Sequence, residues 1–403
     1  LFMMENAEAY SLGEETDFTK VGVKALDAHT LEIRLHKPTP SFLEIIYNDA
    51  WYPVHQASIE SFGEPTQRGL PWTRPGNLVS NGPFILKSWE VNKRIAVERN
   101  PLYWDNDTTW LNAIEFLPIE SEDVEDRSYR NGLLHVTNVL PLHRIDYFKA
   151  EHPEWIRFDP SLATYYYILN VTKKPLDDVR VRKALSMAID RKELTVDVMR
   201  AGQQPAMSFV PPGTAGYEPI TQIEYNPEKA RALLAEAGFP NGEGFPDLEI
   251  LYNTMEAHKT VAEVLQSMWK EELGIDIGIT NEEWKVYLDT REQLNHEIAR
   301  AGWNGDYIDP VNFLDLFFKD GGNNHTGWWS QEYQDLINQG SSSFDAAERV
   351  ELYQQAESIL LDEMPIIPLY FYVRYYLIDP RVQGWYPTLL DRHPYKYVSF
   401  ETE

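Results

Sequence analysis

Between Pro160 and Tyr372 the sequence alternates between short apolar runs with the period of a strand and longer segments with the period of a helix. That alternation restricts this part of the chain to an α/β domain. Tyr165–Leu169 reads as a bulky strand. Residues 175–178 then cap a helix in which Val181, Ala184, Leu185, Ala188 and Ile189 recur at helical spacing. Asn226 and Pro227 open a second helix, Ala230, Leu233, Leu234 and Ala237 form its apolar face, and Gly238 closes it. Strands over 248–252, 275–279, 298–303 and 366–372 are interleaved with helices over 258–273, 284–294, 331–338 and 344–362.

The part before Pro160 is organised differently. Residues 1–20 are polar and carry no clear pattern, residues 30–35 alternate as a strand, and Phe42 to Tyr47 is helix-like. A Pro/Gly/Arg-rich segment over 63–76 reads as a surface loop. Asn81, Gly82 and Pro83 form a turn signal, followed by period-two alternation over 84–89 and again over 95–98, which predicts a hairpin. A strand over 113–117, a helix over 123–131 and a short strand over 135–139 complete the expectation. No internal repeat or low-complexity tract is present.

At 403 residues the chain exceeds one ordinary core, so two or three domains are expected. Its 36 basic and 63 acidic residues give a net charge of −27, spread along the chain. Such a field repels nucleic-acid phosphates and anionic lipid surfaces, and it favours cationic or zwitterionic ligands. There is no cysteine, which removes disulfides, thiolate metal sites and a cysteine nucleophile from consideration. No apolar run approaches the roughly 20 residues that span a bilayer.

The hairpin segment from Ser80 to Trp104 is similar to a signature of the solute-binding proteins of bacterial peptide-importing ABC transporters. Further collinear segments match in order: 23–27, 178–185, 188–191, 230–239, Glu283-Trp284, 288–291, 299–303 and Asp306-Tyr307. The chain thereby resembles the periplasmic oligopeptide-binding proteins of the dipeptide/oligopeptide/nickel class. The resemblance implies a periplasmic-binding-protein-like α/β fold, with two large lobes joined by a hinge and the remnant of a smaller middle domain. It implies the remnant over 1–57, a discontinuous first lobe over 58–162 and 374–403, and a second lobe over 163–373. It also places residues 23–35 at the end of the family's middle domain, so the opening part of a typical member, with its signal peptide, is expected upstream.

The function so implied is binding of short peptides in an interlobe cleft for delivery to an inner-membrane ABC permease. A monomer in the periplasm, or on the outer side of the cytoplasmic membrane, with no cofactor, metal, nucleic-acid partner or catalytic residue, is expected. Such a binder fixes peptide termini by charge and the backbone by main-chain hydrogen bonds, leaving side chains in roomy pockets. The resemblance assigns Gly302, Trp303 and Asn304 to backbone pairing and Asp306 to the peptide α-ammonium. It assigns Arg291, Arg300 and His258 to the α-carboxylate, and Trp284, Trp303, Tyr166 and Tyr372 to the cleft wall. On residue chemistry alone Asp306 reads more readily as a turn residue, while Arg291 reads equally as surface charge on a helix and His258 as a helix start.

Two departures are visible. Some relatives carry a cysteine pair at the positions of Ala163 and Asn304, and both are absent here. Met199 and Ile168 stand where some relatives place a lysine and an acid. A carboxylate hydrolase or hard-metal site could be built from Asp306, Asp309, Asp315 and Glu283, but no Gly-rich phosphate loop or H-E-x-x-H motif accompanies them. Among binders, a dipeptide, a murein peptide, glutathione, an opine or a metal chelate are the alternative ligands. Asp306 favours those with a free α-amino group.

Overall fold

The computed structural model describes residues 1–319 and 321–401. Its strands are β1 (Val23–Ala25), β2 (Leu31–Ile33), β3 (Phe84–Glu90), β4 (Arg94–Arg99), β5 (Ala113–Phe116), β6 (Ile156–Leu169) and β7 (Gln204–Pro205), followed by β8 (Leu248–Asn253), β9 (Ile277–Glu282), β10 (Ile298–Asn304), β11 (Ile366–Leu377), β12 (Val382–Gln383) and β13 (Ser399–Phe400). The chain divides into two compact units. One comprises Leu1–Trp51 and Leu162–Tyr372, the other Tyr52–Ser161 and the residues from Val373 onward. Of the three crossings, the one after Trp51 lies outside any strand, and the other two fall inside the long strands β6 and β11, which therefore continue from one unit into the other.

The first unit is built on a six-stranded sheet in the order β7-β11-β6-β10-β8-β9. β8 runs parallel to both β9 and β10. Parallel neighbours need a crossover, and the helices Glu256–Leu273 and Trp284–Glu292 supply the two connections. β6 lies antiparallel on the other side of β10. Val261, Ala262, Leu265 and Trp269 of the long helix are fully buried, and a side chain the size of Val261 or Leu265 contributes about 1.5–3 kcal/mol. The Trp269 indole N–H donates to the Leu185 carbonyl at 2.8 Å, which joins this helix to Val179–Met187.

Local signals place these helices as the sequence predicts. The Asp178 carboxylate accepts the Arg180 N–H, and the Asn226 side chain accepts from Lys229 with Pro227 at the first helical position. Gly238 takes a positive φ of 101° just past the second of these helices, where a side chain would be strained. Residues 1–51 add the β1–β2 hairpin and a contact through Lys37, whose ammonium donates to Asn338 and Ser341 at 3.3 Å each.

The second unit carries the three-stranded antiparallel sheet β3-β4-β5 and the short pair β12-β13. Its helix Glu122–Arg130 is capped by Ser121 and tied internally by Arg130 on Asp126 at 2.9 Å.

Several expectations need correction. Residues 135–139 form no strand; Val136 makes only an isolated bridge to Ile378, because Thr137 is committed to Leu377 through both backbone and side chain. Residues 1–20 include the helix Ala7–Leu12. Strict alternation in β3 is broken by a register shift between Leu86 and Ser88. Tyr165–Leu169 and 366–372 are each only part of a longer strand, since β6 begins at Ile156 and β11 runs on to Leu377, each across a unit boundary.

Candidate ligand-binding site

The site grows out of one strand edge. At its two ends the β6–β10 ladder is pinned by Asn170 N–H to the Glu297 carbonyl at 2.9 Å and Gly305 N–H to the Leu162 carbonyl at 2.7 Å. Antiparallel pairing alternates, so odd-numbered residues of β10 bond to β6, while Arg300, Gly302 and Asn304 turn their N–H and C=O groups to the opposite edge. β8 covers that edge only at Ile298 and Ala299. The Tyr287 hydroxyl donates to the Arg300 carbonyl. Gly302 and Asn304 are left with a backbone edge that no strand among the described residues pairs. An extended ligand backbone can add there as a further strand.

Gly302 packs closely against two side-chain ends. A Cβ on it would lie 2.9 Å from the Tyr372 hydroxyl and 3.2 Å from Arg300 Nη2. Asn304 is exposed and stands directly opposite Ala163 in the register. Ile168 and Met199, the other departures from the family pattern, are both buried at 2% exposure.

One end of the edge is acidic. Asp306 is exposed, and its carboxylate has no hydrogen-bond or ion-pair partner among the described residues. Asp309 is buried and ion-paired with Arg349. Asp315 is pushed up to about 7 by burial, then by Asp309 and Asp306, with Lys37 acting in the opposite sense. Surplus negative charge here favours a cation beside Asp306. Because the folded state raises the Asp315 pKa, this group costs stability as pH rises from about 4 to about 7. Asp315→Asn should remove a penalty on the order of 2–4 kcal/mol above pH 7 and nothing below pH 4. Urea unfolding of both proteins at pH 4, 5.5 and 7.5 tests this; a pH-independent difference between them would refute it.

The cationic candidates lie further along. Arg300 donates to the Tyr372 hydroxyl at 2.6 Å and to Asn253 Oδ1 at 3.3 Å, its guanidinium lies 4.9 Å over the Tyr165 ring, and its Nε is buried with no partner. His258 is buried beside the Tyr165 hydroxyl at 3.3 Å, and burial, then Arg300, pull its pKa down to about 2. It is therefore a neutral imidazole, able to donate a hydrogen bond to a carboxylate but not to offer it charge. Arg291 ends the helix Trp284–Glu292, 5.5 Å over the Tyr287 ring, and its buried Nε also lacks a partner. Two histidines not singled out from sequence neighbour it: His296 and His325, both pulled down to about 4, primarily by burial.

The aromatic candidates divide. Tyr372 belongs to the Arg300 cluster, and Trp303 donates its indole N–H to Asn312 Oδ1 at 3.2 Å. Trp284 is half exposed and stacks on Tyr287 with 5.8 Å between ring centroids. Tyr166 is buried, edge-on to Phe209 at 5.0 Å. No group of three or more metal-ligating side chains occurs among the described residues. Tyr165, Asn253, Tyr287 and Asn312 hold the site in place, yet nothing in their sequence surroundings marks them.

Residues 3–325 match the family model of the bacterial extracellular solute-binding proteins, family 5 Middle. The chain belongs to this family. It is 40% identical to the periplasmic oligopeptide-binding protein OppA of Salmonella typhimurium over 375 residues, 91% of this chain and 68% of that protein. It is 38% identical to the periplasmic murein peptide-binding protein MppA of Escherichia coli over 390 residues, 95% of this chain and 71% of that protein. The solved structure of the Escherichia coli murein tripeptide-binding protein MppA superimposes with a TM-score of 0.88 at 36% identity, covering all of this chain and 79% of that one. Haemophilus influenzae OppA in complex with the peptide RPPGFSPFR gives 0.85 at 32% identity, over 99% of this chain and 78% of that one. The α/β fold is thus the two-lobe periplasmic-binding-protein-like fold, and the family is one of solute-binding proteins. No helix among the described residues is long and apolar enough to cross a membrane.

Proposed function

We propose that this protein binds short peptides and presents them to an inner-membrane ABC permease for import. The observation that carries this reading is the unpaired edge at Gly302 and Asn304, ending on the unpartnered carboxylate of Asp306. The peptide main chain pairs with that edge, and its α-ammonium meets Asp306. Arg300 and Arg291 offer guanidinium forks to the α-carboxylate at different distances from Asp306, while neutral His258 contributes a hydrogen bond. Trp303, Trp284 and Tyr372 provide aromatic surface around them, and Tyr166, buried against Phe209, packs behind it. Two relatives are named for oligopeptide and murein peptide binding, and one solved neighbour holds a nine-residue peptide. The protein works as a monomeric binder on the outer side of the cytoplasmic membrane, without a cofactor and without a chemical step. Residues 163–373 form the lobe that anchors the ligand.

Calorimetry with tri- to pentapeptides and their N-acetylated forms tests the reading. Acetylation should weaken binding by at least about tenfold, since it removes the charge that Asp306 accepts. Equal affinities would refute the ammonium contact. Binding of glutathione or an opine in preference to all peptides would redirect the ligand assignment.

A further inference from the structure

Asp306 owes its position to a residue six places further along the chain. β10 ends at Asn304, and Gly305 extends the ladder by one bond to Leu162. A Cβ on Gly305 would lie 2.6 Å from Leu162 Cδ2, so the chain is held tightly against β6 at this point. The next backbone N–H, that of Asp306, leaves the ladder and donates to Asn312 Oδ1 at 2.9 Å. The same oxygen accepts the Trp303 indole N–H at 3.2 Å. One side-chain oxygen therefore clamps the residues on either side of Asn304 and Gly305.

Asn312 is itself rigidly mounted. It is 5% exposed within the turn Val311–Leu314, whose other three residues are buried. The Asp309 carboxylate accepts the Val311 N–H at 3.0 Å, and the Asp309 carbonyl accepts the Asn312 N–H at 3.1 Å. Asp309 in turn is ion-paired with Arg349 on the helix Ala346–Glu363. A continuous set of bonds runs from that helix through Asp309 and Asn312 to the backbone of Asp306. An amide oxygen suits the position because it accepts two hydrogen bonds without adding a charge beside Asp306, Asp309 and Asp315.

We propose that Asn312 is the positioning residue of the ammonium site: by holding the Trp303 indole and the Asp306 N–H on one oxygen, it fixes the turn that aims the Asp306 carboxylate past the end of the open β10 edge. The proposal rests on the reading of Asp306 as the ammonium anchor. Without Asn312 the edge at Gly302 and Asn304 still pairs with a peptide, but the carboxylate is no longer held in register with its first residue.

The test is the ratio of dissociation constants for N-acetyl-trialanine and trialanine, measured by calorimetry on the full chain. Asn312→Leu should lower this ratio at least tenfold while changing the affinity for the acetylated peptide less than threefold. Asn312→Gln, which keeps a neutral acceptor oxygen for the two donors, should retain more of the ratio than Asn312→Leu does. A lowered melting temperature with the ratio unchanged in Asn312→Leu would reduce Asn312 to a structural residue and overturn the proposal. Should Asn312→Leu fail to fold, Asn312→Ser, whose shorter side chain cannot hold both donors, takes its place, and an unchanged ratio in that protein would overturn the proposal equally. A ratio near one in the unsubstituted protein would instead remove the ammonium reading of Asp306, and the proposal with it.

Discussion

The Asp306→Ala protein is expected to bind a free-amine tripeptide with a loss of about 2–5 kcal/mol, roughly thirtyfold to several-thousandfold in affinity. The size of the loss depends on whether the ion pair is desolvated. Without ligand Asp306 is exposed, so its carboxylate is hydrated and carries little strain. A peptide lying along Gly302 and Asn304 covers it, replacing water with one ammonium. If the pair stayed solvated, the loss would be under about 1 kcal/mol. Isothermal titration of parent and variant with one tripeptide separates the two cases. A loss below 1 kcal/mol would mean that the backbone edge, not the charge, holds the ligand's first residue.

The second large effect concerns stability. Arg191 is 1% exposed and donates to the Pro368 carbonyl at 2.7 Å, the Ser186 carbonyl at 3.1 Å and Ser186 Oγ at 2.9 Å. It joins the end of the helix Val179–Met187 to β11, which carries Tyr372. Arg191→Met fills part of the volume but leaves the Pro368 carbonyl and the Ser186 hydroxyl without this donor, while the Ser186 carbonyl keeps the Ile189 N–H. Each buried unsatisfied group costs about 1–3 kcal/mol, so a total of about 3–5 kcal/mol is expected. Urea unfolding at pH 7 measures it directly; a cost under 1 kcal/mol would mean that water replaces the guanidinium. This arginine closes one of the segments by which the chain resembles its family, Ala188 to Arg191, so that family signature maps to scaffold.

Signals that act over a few residues were legible. Asp178, Asn226 and Gly238 mark helix ends because capping depends on neighbours in sequence, and the apolar spacing of 181–185 predicts the buried face that forms. Longer-range features were not. The extension of β6 and β11 across the unit boundary is written in no local pattern, since it depends on which segments fold together. The strand expected over 135–139 failed beside the end of β11, because the Thr137 hydroxyl rather than a backbone carbonyl accepts the Leu377 N–H.

The chemistry divides in the same way. From sequence, the family resemblance singles out Asp306, Arg300, Arg291 and His258, and the absence of cysteine and the net charge of −27 limit the ligand class. Sequence alone could not tell that His258 is held neutral, because its pKa of about 2 follows from burial against Arg300, which lies 42 positions away in the chain. Nor could it tell that pairing with β8 ends at Ala299 of β10 and leaves the Gly302 and Asn304 edge open among the described residues, or that Asn312 accepts the Asp306 N–H. Residue types and their local order determined the strands, the helices and the charges available. Tertiary structure decided which backbone edge stays open and which charges survive burial, because hydrogen-bond partners and desolvation are set by neighbours in space.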